Sequence, residues 1–75
     1  MKITNATTFL ELQTFLRDEE VSLSLDYVGS ANAFRAQLRG YESDGKPFTI
    51  ISIGREIGEA TQSSITKLKT HRGGA

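Results

Sequence analysis

The chain contains no cysteine, and only one proline and one histidine. Without cysteine there is no disulfide, no thiolate metal site and no cysteine nucleophile. A single histidine, His71, excludes a paired-histidine zinc site. No apolar run approaches the ~20 residues of a membrane span, and the N-terminal end lacks the apolar stretch of a signal peptide. These shortages point to the cytoplasm and away from a membrane partner. Charge of one sign is missing as well. Nine Lys+Arg balance nine Asp+Glu, so no global basic character advertises nucleic acid.

What is present suits one small globular domain. The 75 residues are 37% hydrophobic and 24% charged, too apolar for a disordered tail. A domain of this size hides only roughly 60% of the surface its unfolded chain exposes, so its core is small. The expected domain is 1–72, with 73–75 as a frayed tail.

Periodicity predicts the elements. Thr8 and Glu11 have the spacing of a capping box, and Phe9, Leu12, Phe15 and Leu16 form an apolar stripe. Asp18-Glu19-Glu20 places acid where a helix dipole is negative, so the helix is expected to stop near Arg17. Residues 21–28 alternate, with Val21, Leu23, Leu25 and Tyr27 against Ser22, Ser24 and Asp26: a strand with one wet face. Gly29 to Asn32 reads as a loop. Phe34, Ala36 and Leu38 against Arg35, Gln37 and Arg39 make a second strand, with a bulge at Gly40 before Tyr41. Ser43-Asp44-Gly45-Lys46 is a hairpin turn. Residues 48–53 form a third strand, in which Ile50-Ile51 suggests burial on both faces or a bulge. Residues 54–60 read as loop, with Thr61 capping a last helix through about Thr70.

Helix, three strands, helix with two hairpins implies an α+β fold: a two-layer αβββα domain, a three-stranded antiparallel sheet with two helices on one face. Its expected core is Phe9, Leu12, Leu16, Val21, Leu23, Leu25, Tyr27, Phe34, Ala36, Leu38, Ile53, Ile65 and Leu68.

No catalytic set is visible. Nucleophilic catalysis needs a base beside the nucleophile, and His71 lies in the expected frayed end, where a solvated role is the default. Glu56 and Glu59 at the approach to a helix complement its dipole more readily than they serve acid–base chemistry. The glycines lack P-loop spacing. No metal site and no cofactor is expected.

Charge position says more than net charge. In residues 1–34, Lys2 and Arg17 stand against Glu11, Asp18, Glu19, Glu20 and Asp26, whereas no acid follows Glu59. Two candidate binding surfaces result. One is the strand face of Arg35, Gln37 and Arg39, able to read phosphate or carboxylate, or else to pair with Asp26 across the strands. The other is the basic end of the last helix, Lys67, Lys69 and Arg72, which doubles as ordinary dipole complementation.

The order of elements and several short motifs resemble double-stranded-RNA-binding-like domains, and among them the HicA-type toxins. The matching residues are Gly29, Ser30 and Phe34, the Asp44-Gly45 turn and the strand to Ile53. Gly54-Arg55-Glu56-Ile57, Ala60-Thr61 and Ser64-Ile65 continue the match, which spans residues 29 to 68. The resemblance implies this fold and messenger-RNA cleavage. However, Ala31 and Asn32 stand where that family carries its catalytic histidine, and neither acts as a general base near neutral pH. Gln62, Ser63 and Ser64 are uncharged where classical double-stranded-RNA binding uses a lysine-rich helix start.

The expected function is therefore non-catalytic binding of a protein or nucleic-acid partner, such as a host protein or protein–RNA complex, by a monomer or homodimer. A short single-domain chain without a catalytic set suits a blocker or adaptor, such as a phage or mobile-element inhibitor of host defence or nucleic-acid machinery. The alternative is a HicA-like ribonuclease with an altered site.

Overall fold

In a computed structural model, which describes residues 9–73, the chain runs α1 (Phe9–Glu19), β1 (Ser22–Val28), a 3₁₀ turn (Gly29–Ala31), β2 (Ala33–Tyr41), β3 (Pro47–Gly54) and α2 (Ile57–His71). This is the αβββα order, with a single antiparallel sheet in the order β1-β2-β3. Thr8, half of the expected capping box, lies outside the described residues.

Register sorts the side chains into two faces. Leu23, Leu25 and Tyr27 pair with Leu38, Ala36 and Phe34, and these β2 residues pair with Ile50, Ser52 and Gly54. That face turns toward the helices. Ser22, Ser24 and Asp26 pair with Arg39, Gln37 and Arg35, which pair with Thr49, Ile51 and Ile53. That face is open. Ladder pairing is continuous through Gly40↔Phe48 and Tyr41↔Pro47, so the bulge expected at Gly40 is not formed, and Tyr41 reaches the open face by alternation alone. Gly40 answers a packing need instead. A Cβ there would lie 2.9 Å from the Phe48 ring and 3.0 Å from Val21.

The core is smaller than periodicity predicts. Val21, Leu38, Ile50 and Leu68 form its centre, with Phe15, Leu16, Leu23 and Phe48 packed around them. Ala36 and Ile65 are fully buried. Four residues expected inside are exposed: Phe9 (93%), Leu25 (42%), Tyr27 (54%) and Ile53 (57%). Ile53 lies on the open face. Leu25 and Tyr27 do face the helix layer, but α2 lies over β2 and β3 and α1 reaches the core through Phe15 and Leu16, leaving the far half of β1 uncovered. Ile50-Ile51 needs neither burial on both faces nor a bulge, because Ile50 is buried and Ile51 points to the open face.

The helix ends also differ from expectation. α1 continues past Arg17 to Glu19 and closes with Glu20 at φ 55. The Val21 N–H donates to the Leu16 carbonyl (3.1 Å) and the Glu20 N–H to the Arg17 carbonyl (3.2 Å). These are the two bonds of a Schellman motif, and Val21 and Leu16 supply its apolar contact. Closing the helix this way outweighs the misplaced acids. α2 starts a turn earlier than expected, at Ile57, with Glu56 as N-cap. Thr61 is a buried interior residue whose hydroxyl donates to the Ile57 carbonyl (2.7 Å). Its buried stripe is Ala60, Thr61, Ser64, Ile65 and Leu68, the 3–4 spacing of one helix face. The Ser64 hydroxyl donates to the Thr61 carbonyl (2.7 Å), which lets a polar residue sit in the core. Of the expected tail, Gly73 is described, and its N–H donates to the Thr70 carbonyl.

The β2–β3 turn is a three-residue loop. The Glu42 N–H donates to the Lys46 carbonyl (2.7 Å) and the Gly45 N–H to the Glu42 carbonyl (2.9 Å). Gly45 takes φ 87, the sole positive φ in the loop, as a type I turn followed by a left-handed residue requires.

Candidate binding surfaces

The open sheet face brings Arg35, Gln37 and Arg39 together in one row, as their alternation implies. Their side chains are already engaged. Arg35 grips Asp26 with both arms of its fork, Nε to Oδ1 at 3.0 Å and an Nη to Oδ2. Hydrogen bonding to Asp26, with its charge adding to the effect, holds the Arg35 guanidinium above its usual pKa, against a smaller desolvation effect. Arg39 donates to the Gln37 side-chain carbonyl at 3.2 Å. The Arg35 charge is thus neutralised within the face, and Arg39 is the remaining net positive charge on the row.

Two exposed isoleucines stand beside this row. Ile51 (49% exposed) pairs with Gln37, and Ile53 pairs with Arg35. The face is therefore a mixed surface: an apolar patch on β3, polar side chains and one unneutralised cation on β2, and serines on β1. In the sequence Ile53 looks like a core residue because a buried strand and a half-buried strand with apolar residues on both faces look alike over so short a run.

The basic residues of α2 are differently engaged. Lys67 and Lys69, two apart on the helix, do not face each other. Lys67 Nζ donates to the Ile51 carbonyl on the outer edge of β3 (2.9 Å). Arg72 donates to the Glu19 carbonyl (2.8 Å), meets the Glu19 carboxylate (3.5 Å) and lies over the Phe48 ring. Lys69 is exposed.

His71 is exposed but has partners. It closes α2, stacks on Phe48 with ring centroids 4.7 Å apart, and its Nε2 meets the Glu42 carboxylate. Glu42 follows β2, whereas Ala31 and Asn32 precede it, so His71 and Asn32 stand at opposite ends of that strand. Asn32, left-handed at φ 52, accepts a hydrogen bond from the Tyr27 hydroxyl (2.6 Å) in a shallow hollow shared with Arg55 and Glu59. Among the described residues no group of His, Asp and Glu side chains is placed to hold a metal ion, and no helix is long and apolar enough to cross a membrane. No family model, curated protein or solved structure matches the chain.

Proposed function

We propose that the chain is a non-catalytic binding domain whose open sheet face docks on a protein partner. One observation carries this reading: Asp26 occupies the Arg35 guanidinium while Ile51 and Ile53 stand exposed beside it. A nucleic-acid surface needs free cations spaced along phosphates. A protein-docking surface combines apolar anchors with oriented polar groups, and Arg with large apolar side chains is its usual hot-spot chemistry. Ile51 and Ile53 are the anchors, and Arg39 and Gln37 supply directional bonds at their flank. The Arg35–Asp26 pair holds both side chains in place at one end of the face, which lowers the ordering cost of docking there. Such a surface suits an adaptor or an inhibitor of a host protein. His71 stands at the opposite end of β2 from Asn32, which supports non-catalytic action.

The test uses the full chain as bait in lysate from its source cell. Ile51→Glu combined with Arg39→Ala lowers recovery of the partner at least about tenfold, whereas Lys69→Ala leaves it unchanged. In parallel, binding to single- and double-stranded RNA oligonucleotides is measured across salt concentrations. Salt-steep RNA affinity that Arg39→Ala weakens would favour the nucleic-acid reading. Cleavage of that RNA, lost in Asn32→Ala, would favour a HicA-like ribonuclease.

A further inference from the structure

The two edges of the sheet are not alike. Backbone groups in an antiparallel ladder alternate between pointing at the partner strand and pointing away. On β3, the Ile51 carbonyl receives Lys67 Nζ from outside the sheet, so residues 49, 51 and 53 point outward. By the same alternation Arg35, Gln37 and Arg39 direct their N–H and C=O groups at β1, where Asp26, Ser24 and Ser22 receive them. Leu23, Leu25 and Tyr27 then direct theirs to the free edge of β1. The Val21 N–H, one step earlier in the same parity, does point away from β2, to the Leu16 carbonyl.

The β3 edge is protected. Pro47 opens it without an N–H, and Lys67 caps its middle. Proline and lysine are the devices that keep sheet edges from pairing. The β1 edge carries neither, and its N–H and C=O groups at Leu23, Leu25 and Tyr27 have no partner among the described residues. Leu25 and Tyr27 are also exposed on the helix side of that edge.

We infer that the β1 edge pairs with the β1 edge of a second copy, antiparallel about a two-fold axis at Leu25, to make one continuous six-stranded sheet. The segment Leu23-Ser24-Leu25-Asp26-Tyr27 reads as a palindrome of apolar and polar positions, and an isologous contact requires that self-complementarity. In this register Leu25 meets its own copy, Leu23 meets Tyr27, and Ser24 meets Asp26. The three outward-pointing residues of each strand fall at hydrogen-bonded positions. The one charge on the strand, Asp26, faces a serine hydroxyl and is already neutralised by Arg35, so no like charges oppose. The apolar side chains left uncovered by the helices cover one another. The inference is independent of what the open face binds, and it sets two such faces side by side.

Sedimentation equilibrium of the full chain up to about 1 mM, with single-cysteine variants of this cysteine-free protein, tests it. The expected mass is twice the 8.2 kDa of the monomer. Leu25→Cys, at a pair with Cα atoms about 5.5 Å apart, within disulfide reach, oxidises to a covalent dimer. Thr49→Cys, on the protected β3 edge, oxidises at least about tenfold more slowly, and Leu25→Lys raises the dissociation constant at least about tenfold with unchanged far-ultraviolet circular dichroism. A mass of 8.2 kDa at every concentration overturns the inference. So does a dimer that Thr49→Cys traps faster than Leu25→Cys does.

Discussion

Leu38 and Leu25 are the same residue type on neighbouring strands and the same face of the sheet, yet their truncation has different consequences. Leu38 is fully enclosed at the centre of the core, and Leu38→Ala costs about 2–5 kcal/mol. Leu25 lacks a helix above it, so Leu25→Ala costs roughly 1 kcal/mol, closer to the near-zero cost of Ser24→Ala. Urea unfolding of the three variants, at concentrations low enough that the β1 edge is unpaired, gives this ranking, and equal costs for both leucines there would mean that α1 covers β1 more fully. Gly40→Ala tests close packing. A methyl group pressed against Phe48 and Val21 destabilises by about 1–3 kcal/mol. Ser52 behaves oppositely. Its hydroxyl is buried with no hydrogen-bond partner, so Ser52→Ala raises stability by about 1 kcal/mol, the desolvation cost it removes.

At the scale of elements, α1 and α2 are held very differently. α2 buries a full stripe against β2 and β3, whereas no α1 residue is fully buried. α1 is fastened by Phe15 and Leu16, by its Schellman closure, and by Arg72 on Glu19. Two outcomes follow for its last turn. Glu20→Gly relieves a left-handed backbone that a side chain disfavours and stabilises the protein by about 1 kcal/mol. Arg72→Ala leaves global stability within about 1 kcal/mol, because the ion pair is substantially solvated. It nevertheless speeds amide exchange in α1 several-fold relative to α2, a local opening that hydrogen-exchange mass spectrometry resolves. Uniform acceleration across both helices would show that Arg72 supports the whole domain instead.

For the whole molecule, the open face and the core are separable. Ile51→Glu with Arg39→Ala alters the surface while leaving Leu38, Ile50, Ile65 and Leu68 untouched. The midpoint of thermal unfolding is therefore expected to shift by no more than about 4–8 °C, the equivalent of roughly 1 kcal/mol in a domain of this size. Loss of partner binding without loss of the melt then assigns the open face to recognition. Loss of both would return Ile51 to a structural role.

Local pattern alone determined the order of elements, the antiparallel pairing, and the wet face of β1 and β2. Period-two alternation and a tight Asp-Gly turn leave a chain this short few other ways to bury Leu23, Ala36 and Leu38. The row of Arg35, Gln37 and Arg39 was legible for the same reason. Four things required the folded chain. Whether Arg35 is free depends on the register that sets Asp26 directly opposite. The exposure of Leu25 depends on which strands the helices cover, and that of Ile53 on which face of β3 they leave open, properties of layer packing that strand periodicity does not carry. The core role of Thr61 and Ser64 depends on hydroxyls turning back onto their own helix, which makes polar residues look like surface in the sequence. The fates of Lys67, His71 and Arg72 were hidden too, because a side chain's partner is chosen by distance in space. The sequence separations are large: sixteen residues to Ile51, twenty-nine to Glu42 and fifty-three to Glu19.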